Sequence, residues 1–136
     1  MKAQVSTAQI KAVVSGDIPA YRLLWLLSSE DGETLRIGLP YLEGYPVDFV
    51  STRELKDGEE VTVTIKGDPI WLVEAGQALR PGQNVCNDTT GRLVSTSPNR
   101  LHSVGYVLEA AQEGDIVRLV RNYKFYHDRL DESQEE

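Results

Sequence analysis

The stretch from Val47 to Ile65, VDFVSTRELKDGEEVTVTI, has an echo between Val104 and Val120, VGYVLEAAQEGDIVRLV. Both run in one order: a short apolar-aromatic strand, a polar linker, a glycine (Gly58 or Gly114) with an acidic residue on each side, then a strand. In EVTVTI, Val61, Val63 and Ile65 alternate with Thr62 and Thr64, the period of a half-buried strand. DIVRLV, from Asp115, is similarly rich in β-branched residues. The string ALRPGQNVCND around Gly82 is a looser third version of the same ending. A β-loop-β unit used twice brings strands back side by side. Two copies are too few for a solenoid and fit a small closed or sandwiched β-body.

The rest of the chain is punctuated in the same way. Turn signals recur every ten or so residues, among them SGD at Ser15, EDGE at Glu30, LEGYP at Leu42, KGDP at Lys66, DTTG at Asp88 and TSPN at Thr96. This is the pattern of an all-β sandwich or barrel. Asp31-Gly32 predicts a tight hairpin turn between LLWLLSS and TLRIGL. Helix signals are weak: STRELKDGEE is stopped by Gly58, and LEAAQ is one turn long before Gly114. The expected fold is therefore all-β, a small β-barrel or β-sandwich of short antiparallel strands with few or no helices and an extended N-terminal arm. The expected organisation is an arm over residues 1–15, a β-domain over 16–126 and an acidic tail over 127–136.

Composition narrows the function. The chain has 136 residues, enough for one domain with its own core, and one cysteine, which excludes an intrachain disulfide and a Cys-rich zinc site. A net charge of −7 opposes sequence-independent binding to phosphate backbones, so no nucleic-acid partner is expected. The longest apolar run, YRLLWLL from Tyr21, is far short of the ~20 residues that span a bilayer, and the N-terminus lacks a leader pattern. No membrane partner is expected either.

The chemical candidates are sparse. Cys86 as a nucleophile needs a base, and His102 and His127 have no spacing that supplies one, so a small buried core residue is the better reading. No phosphate-cradling glycine loop occurs, and neither CNDTTG nor DESQEE has the spacing of a calcium loop. The expectation is no catalytic residue, no cofactor and no metal. RNYKFYHDR, from Arg121 to Arg129, interleaves aromatic and basic residues. Tyr123 and Phe125 lie two apart, on one face of an extended segment, and fit a core or a partner surface better than stacked bases. Trp25 and Trp71 are read first as core residues.

From Gly67 onward, GDPIWLVEAGQALRPGQNVCNDTTGRLVS and then SVGYVLEAAQEGDIVRL resemble the phage capsid cement proteins. GQALRPGQ is also similar to the head-stabilising decoration proteins of lambda-type phages. The resemblance covers the C-terminal half. It implies a non-enzymatic structural virion protein, made in the host cytoplasm, that binds the major capsid protein on the outer capsid surface and reinforces the lattice, usually as a homotrimer. Other readings are a different β-rich virion component, such as a tail or head-fibre base domain, or a small cellular β-barrel that binds a ligand. Partner contacts are expected from the arm, at Lys2, Val5, Ile10, Lys11 and Val13, acting as an added edge strand, and from Tyr123, Phe125 and Tyr126. The same N-terminal segment could instead be the first strand of the domain's own sheet.

Overall fold

A computed structural model describes residues 8–28, 34–65, 70–97 and 103–121. These contain ten strands and no helix: β1 (Ala8–Ser15), β2 (Leu23–Leu27), β3 (Arg36–Gly38), β4 (Phe49–Val50), β5 (Glu60–Ile65), β6 (Ile70–Glu74), β7 (Asn84–Asn87), β8 (Leu93–Ser95), β9 (Gly105–Val107) and β10 (Ile116–Arg121). They form two five-stranded sheets, ordered β4-β2-β3-β1-β5 and β6-β10-β9-β7-β8. The all-β barrel or sandwich expected from the turn spacing is the observed class.

The two sheets repeat one plan. In the first, β1 pairs antiparallel with β5 and parallel with β3, and β2 pairs antiparallel with β3 and β4. In the second, β6 pairs antiparallel with β10, Ala75 just beyond it bridges Leu93 in parallel, and β7 pairs antiparallel with β8 and β9. The reciprocal bridge Ile18–Leu55 of the first module recurs as Leu79–Ala111 in the second. Gly58 and Gly114 make the equivalent turns at φ 83° and 93°, a conformation that glycine adopts without steric cost. The echo in the sequence is thus one half of a larger repetition that extends over the whole described chain.

The modules differ in one ladder. β9 pairs antiparallel with β10, which completes a circuit β6-β10-β9-β7-β8 and back to β6 through Ala75 and Leu93. β4 and β5, the corresponding strands of the first module, are the two ends of their sheet. Register gives the reason. Leu24 faces Phe49 across β2 and β4, and Val85 faces Gly105 across β7 and β9, so Phe49 holds the place of Gly105. A Cβ on Gly105 would collide with the carbonyl oxygen of Val120 on β10. The second module closes because glycine lets two backbones approach. A phenylalanine at that place keeps the first open.

Each module has its own core. Ala12, Val14, Ile18, Leu24, Ile37 and Leu55 pack in the first, with Phe49, Val61 and Val63 against them. Val73, Ala75, Leu79, Val85, Leu93, Val107, Val117 and Leu119 form the second, which also takes Leu23. Adjacent residues Leu23 and Leu24 therefore serve opposite cores, as alternation along β2 requires. At the junction, Glu74 N–H donates to the Tyr21 carbonyl and Leu23 N–H to that of Gly91. The Arg22 and Arg92 guanidinium groups approach the Glu74 carboxylate to 3.2 and 3.4 Å.

Residues 8–15, placed in the arm by the sequence, form β1 inside the first sheet. Ala12 and Val14 are buried, β5 pairs along Ala8 to Val13, and β3 takes the other edge at Val13 to Ser15. Burying those alternate residues outweighs leaving the segment free as an arm. The boundary expected at residue 15 therefore falls at the end of an integral strand. Residues 127–136 lie outside the described residues.

Candidate interaction surfaces

Among the described residues, Cys86 and Asp88 both have places in the fold. Cys86 is wholly buried in β7, its thiol 3.7 Å from the Ser95 carbonyl oxygen. Full burial suits packing and not nucleophilic attack. Asp88 builds its own turn: one carboxylate oxygen accepts from Thr90 N–H at 2.8 Å, Thr90 Oγ1 at 2.7 Å and Arg92 N–H at 2.9 Å. Among the described residues no three of His, Cys, Asp and Glu gather as metal ligands do. No described helix is long and apolar enough to cross a membrane. His102 and His127 lie outside the described residues.

Of the residues expected to bind partners, Lys11 is exposed and Val13 half-buried, both on the outward face of β1. Ile10 is opposite Val63 in the β1–β5 ladder. Lys2, Val5, Tyr123, Phe125 and Tyr126 lie outside the described residues. The structure thus groups Lys11 and Val13 and bears on no contact between them and the C-terminal aromatics.

Two other surfaces emerge. The first is aromatic. The Trp25 ring meets Tyr41 edge-on at 4.8 Å and Tyr45 at 6.3 Å, and Tyr41, Leu42 and Tyr45 are exposed, Tyr41 by 67%. Trp25 Nε1–H is buried and has no acceptor among the described residues. The loop that carries the tyrosines is held from the second module by Asn87, which is fully buried. Asn87 Nδ2 donates to the Leu42 carbonyl at 2.9 Å and to that of Asp88 at 3.2 Å, and its Oδ1 accepts from Tyr45 N–H at 3.1 Å. Gly44 N–H adds a bond to the Asn87 carbonyl. Asparagine is depleted in strands, so its place at the end of NVCN was the available signal for this anchor.

The second surface is the gap in the first module. A groove of about 480 Å³ opens there, with Phe49, Val50 and Ser51 along one lip and Val61, Thr62 and Val63 along the other. Leu24 and Ile37 lie at its apolar base, and Trp71 and Arg121 reach in from the second module. The Arg121 guanidinium sits 4.0 Å above the Trp71 ring, a cation–π pair. Ser51 stiffens the first lip: its buried hydroxyl donates to the Pro19 carbonyl at 2.8 Å and accepts from Arg22 N–H at 3.0 Å.

The described residues define the class as an all-β double module whose surface offers aromatic and apolar ground. The comparisons with known proteins give that class a family. The family model described as "Head fiber protein" matches residues 6–132. The head fiber protein of Bacillus phage Nf is 30% identical over 107 residues, 78% of this chain and 40% of that protein, so the chain spans about two fifths of its relative's length. The crystal structure of the N base of head fiber gp8.5 in bacteriophage phi29 superimposes with a TM-score of 0.74 at 28% identity, covering 85% of this chain and 93% of that one. The chain belongs to the head fiber protein family. The resemblance of its C-terminal half to cement proteins pointed to the phage head, and within the head the family is that of the fibers. Both relatives are named for a structural part of the head and neither for a reaction.

Proposed function

We propose that this chain is the base module of a phage head fiber, a structural virion component that seats the fiber on the outer surface of the head. The observation that carries this is the coverage of 93% of the phi29 gp8.5 N base at a TM-score of 0.74. The likeness is to a fiber's base, which favours the head-fibre reading over that of a lattice cement. In this role the major capsid protein is the partner and the protein acts as a homotrimer. Lys11 and Val13, on the outward face of β1, and the tyrosines around Trp25 are the surfaces offered. Tyrosine and tryptophan contribute strongly at protein interfaces because their large rings bury much apolar area.

The test is to add the purified protein to phage particles that lack it and image them. Projecting density at regular lattice points is expected, with the heat stability of the particles little changed. Density accompanied by a large gain in particle stability would restore the cement reading. No density would refute both.

A further inference from the structure

We propose that copies of this chain join through two unlike surfaces, the loop bearing Tyr41, Leu42 and Tyr45 on one copy seating on the outer face of β6, β10 and β9 on the next. The contact deepens the fiber-base reading and rests on it for the homotrimer. It assigns the tyrosines to the neighbouring copy and leaves the outward face of β1 to the capsid.

The face is apolar where the rest of the fold predicts polar residues. Leu72 lies opposite Arg118 in the β6–β10 ladder, and Leu108 N–H donates to the Arg118 carbonyl from the other side. Ile70 and Ile116 stand two residues along their strands from Leu72 and Arg118, and so on the same face. All four aliphatic chains are exposed, Leu72 by 47%. The repeat supplies the comparison. With Gly58 and Gly114 aligned, Glu60 holds the place of Ile116, and Lys11, opposite Thr62, holds that of Leu72, opposite Arg118. Lys11 and Glu60 are exposed charges, as an outer face in water requires. The second module carries leucine and isoleucine in the same two places. An apolar patch of this kind, on the order of a few hundred Å², marks a contact surface on a soluble chain.

Charge and geometry select a second copy as the occupant. The chain carries a net charge of −7, so two copies meet without repulsion only where little net charge is brought together. The face satisfies this condition. Arg118 at its centre is paired with Glu109, Nε at 3.0 Å from Oε1, and Glu74 at its margin with Arg22 and Arg92. The tyrosine loop, with Glu43 as its one charge between Leu39 and Pro46, is the matching half. Asn87 already holds its backbone at Leu42 and Tyr45, so little ordering remains to be lost on contact. Tyrosine rings bury well on aliphatic chains, and the Arg118 guanidinium, fixed by Glu109, offers a plane on which a ring can stack. Because the two surfaces differ, each copy uses its loop on one neighbour and its face on the other, the head-to-tail arrangement that closes into a ring.

The test measures the mass of the full chain in solution at micromolar concentration by light scattering. Leu72→Lys/Ile116→Glu gives the second module the charges of the first at positions that are already exposed, and Tyr41→Ser/Tyr45→Ser strips the loop. The unaltered protein is expected at the mass of three chains and each variant at that of one, with the far-UV circular dichroism unchanged. An equimolar mixture of the two variants keeps one intact loop and one intact face, and is expected to form a one-to-one dimer. A single-chain mass for the unaltered protein, a trimer of either variant, or a mixture that stays monomeric would overturn the proposal, the last by assigning the patches to the capsid or to contacts of like with like. A second measurement covers variants that fail to fold: with Tyr41→Cys and Leu72→Cys in one chain, a short bis-maleimide is expected to join neighbouring chains, and a product confined to single chains would overturn the contact. Imaging keeps the two readings apart. Trimers that leave fiberless heads bare refute the fiber base and retain this contact, whereas heads decorated by a protein whose variants stay trimeric retain the fiber base and lose the contact.

Discussion

Replacing Asn87 with alanine tests whether one buried amide holds the aromatic surface in place. The side chain is completely buried and makes three hydrogen bonds, to the Leu42 and Asp88 carbonyls and from the Tyr45 N–H. Each is worth about 0.5–1.5 kcal/mol net, so the three together reach at most roughly 4.5 kcal/mol. Leu42 and Tyr45 are exposed, so water can reach the groups that are freed there. The expected loss is therefore about 2–3 kcal/mol. In urea unfolding, with a slope of roughly 2 kcal/mol per molar, the midpoint falls by about 1–1.5 M. Trp25 adds a local reading. Its ring packs on Tyr41 and Tyr45, so its emission should shift to the red in native N87A before any unfolding. Thr89→Ala, an exposed turn position beside the same strand, serves as control and should stay within about 0.5 kcal/mol of the parent. A change in N87A no larger than that of the control, with native emission unaltered, would refute the assignment of Asn87 as the anchor.

Gly105→Ala should be among the most damaging single changes, because the new Cβ meets the Val120 carbonyl; a loss above about 4 kcal/mol, or failure to fold, is expected in denaturation, and a mild effect would show that β9 and β10 do not approach so closely. Cys86, being wholly buried, should react with a thiol-specific disulfide reagent only at the rate of unfolding, and prompt labelling of native protein would count against a packing role. The carboxyl of Glu109 is held below the usual carboxylate range by hydrogen bonds from the Arg118 N–H and then its guanidinium, and that of Glu59 by the Arg53 guanidinium and then the Lys56 N–H. A carboxyl depressed in the folded state adds stability that is complete above its unfolded value of about 4.3 and disappears as pH falls through the folded value. E109Q should accordingly flatten the acid limb of Tm against pH below that point; an unchanged slope would sink this link.

What could be read from the sequence was local. Alternation in EVTVTI, the Asp57-Gly58 and Glu113-Gly114 turns and the hairpin strands on either side of EDGE all depend on neighbours in the chain; β2 and β3 do pair antiparallel, Leu27 opposite Arg36, while the expected Asp31-Gly32 turn lies outside the described residues. The place of β1 was not local. Its parallel pairing with β3 and its ladder with β5 join segments far apart, and the same alternation suits an edge strand added to a partner. The echo also misled by one position. Phe49 and Tyr106 match as aromatics in VDFV and VGYV, but register sets Phe49 against Gly105, and the consequence of the glycine appears only once β10 lies beside it. Asn87 was hidden for a similar reason, because its partners, Leu42 and Tyr45, belong to the other module.

The difference between the modules rests on one position. In the second, the β9–β10 ladder joins strands whose counterparts in the first are the two ends of the sheet, and Gly105 is what that close approach requires. The first module uses a phenylalanine at the same place, which adds apolar area to its core while leaving two edges and a groove. An exposed strand edge is a template for pairing with another chain. The two modules thus repeat one plan and part at one position, glycine where the second brings two strands together and phenylalanine where the first leaves them apart.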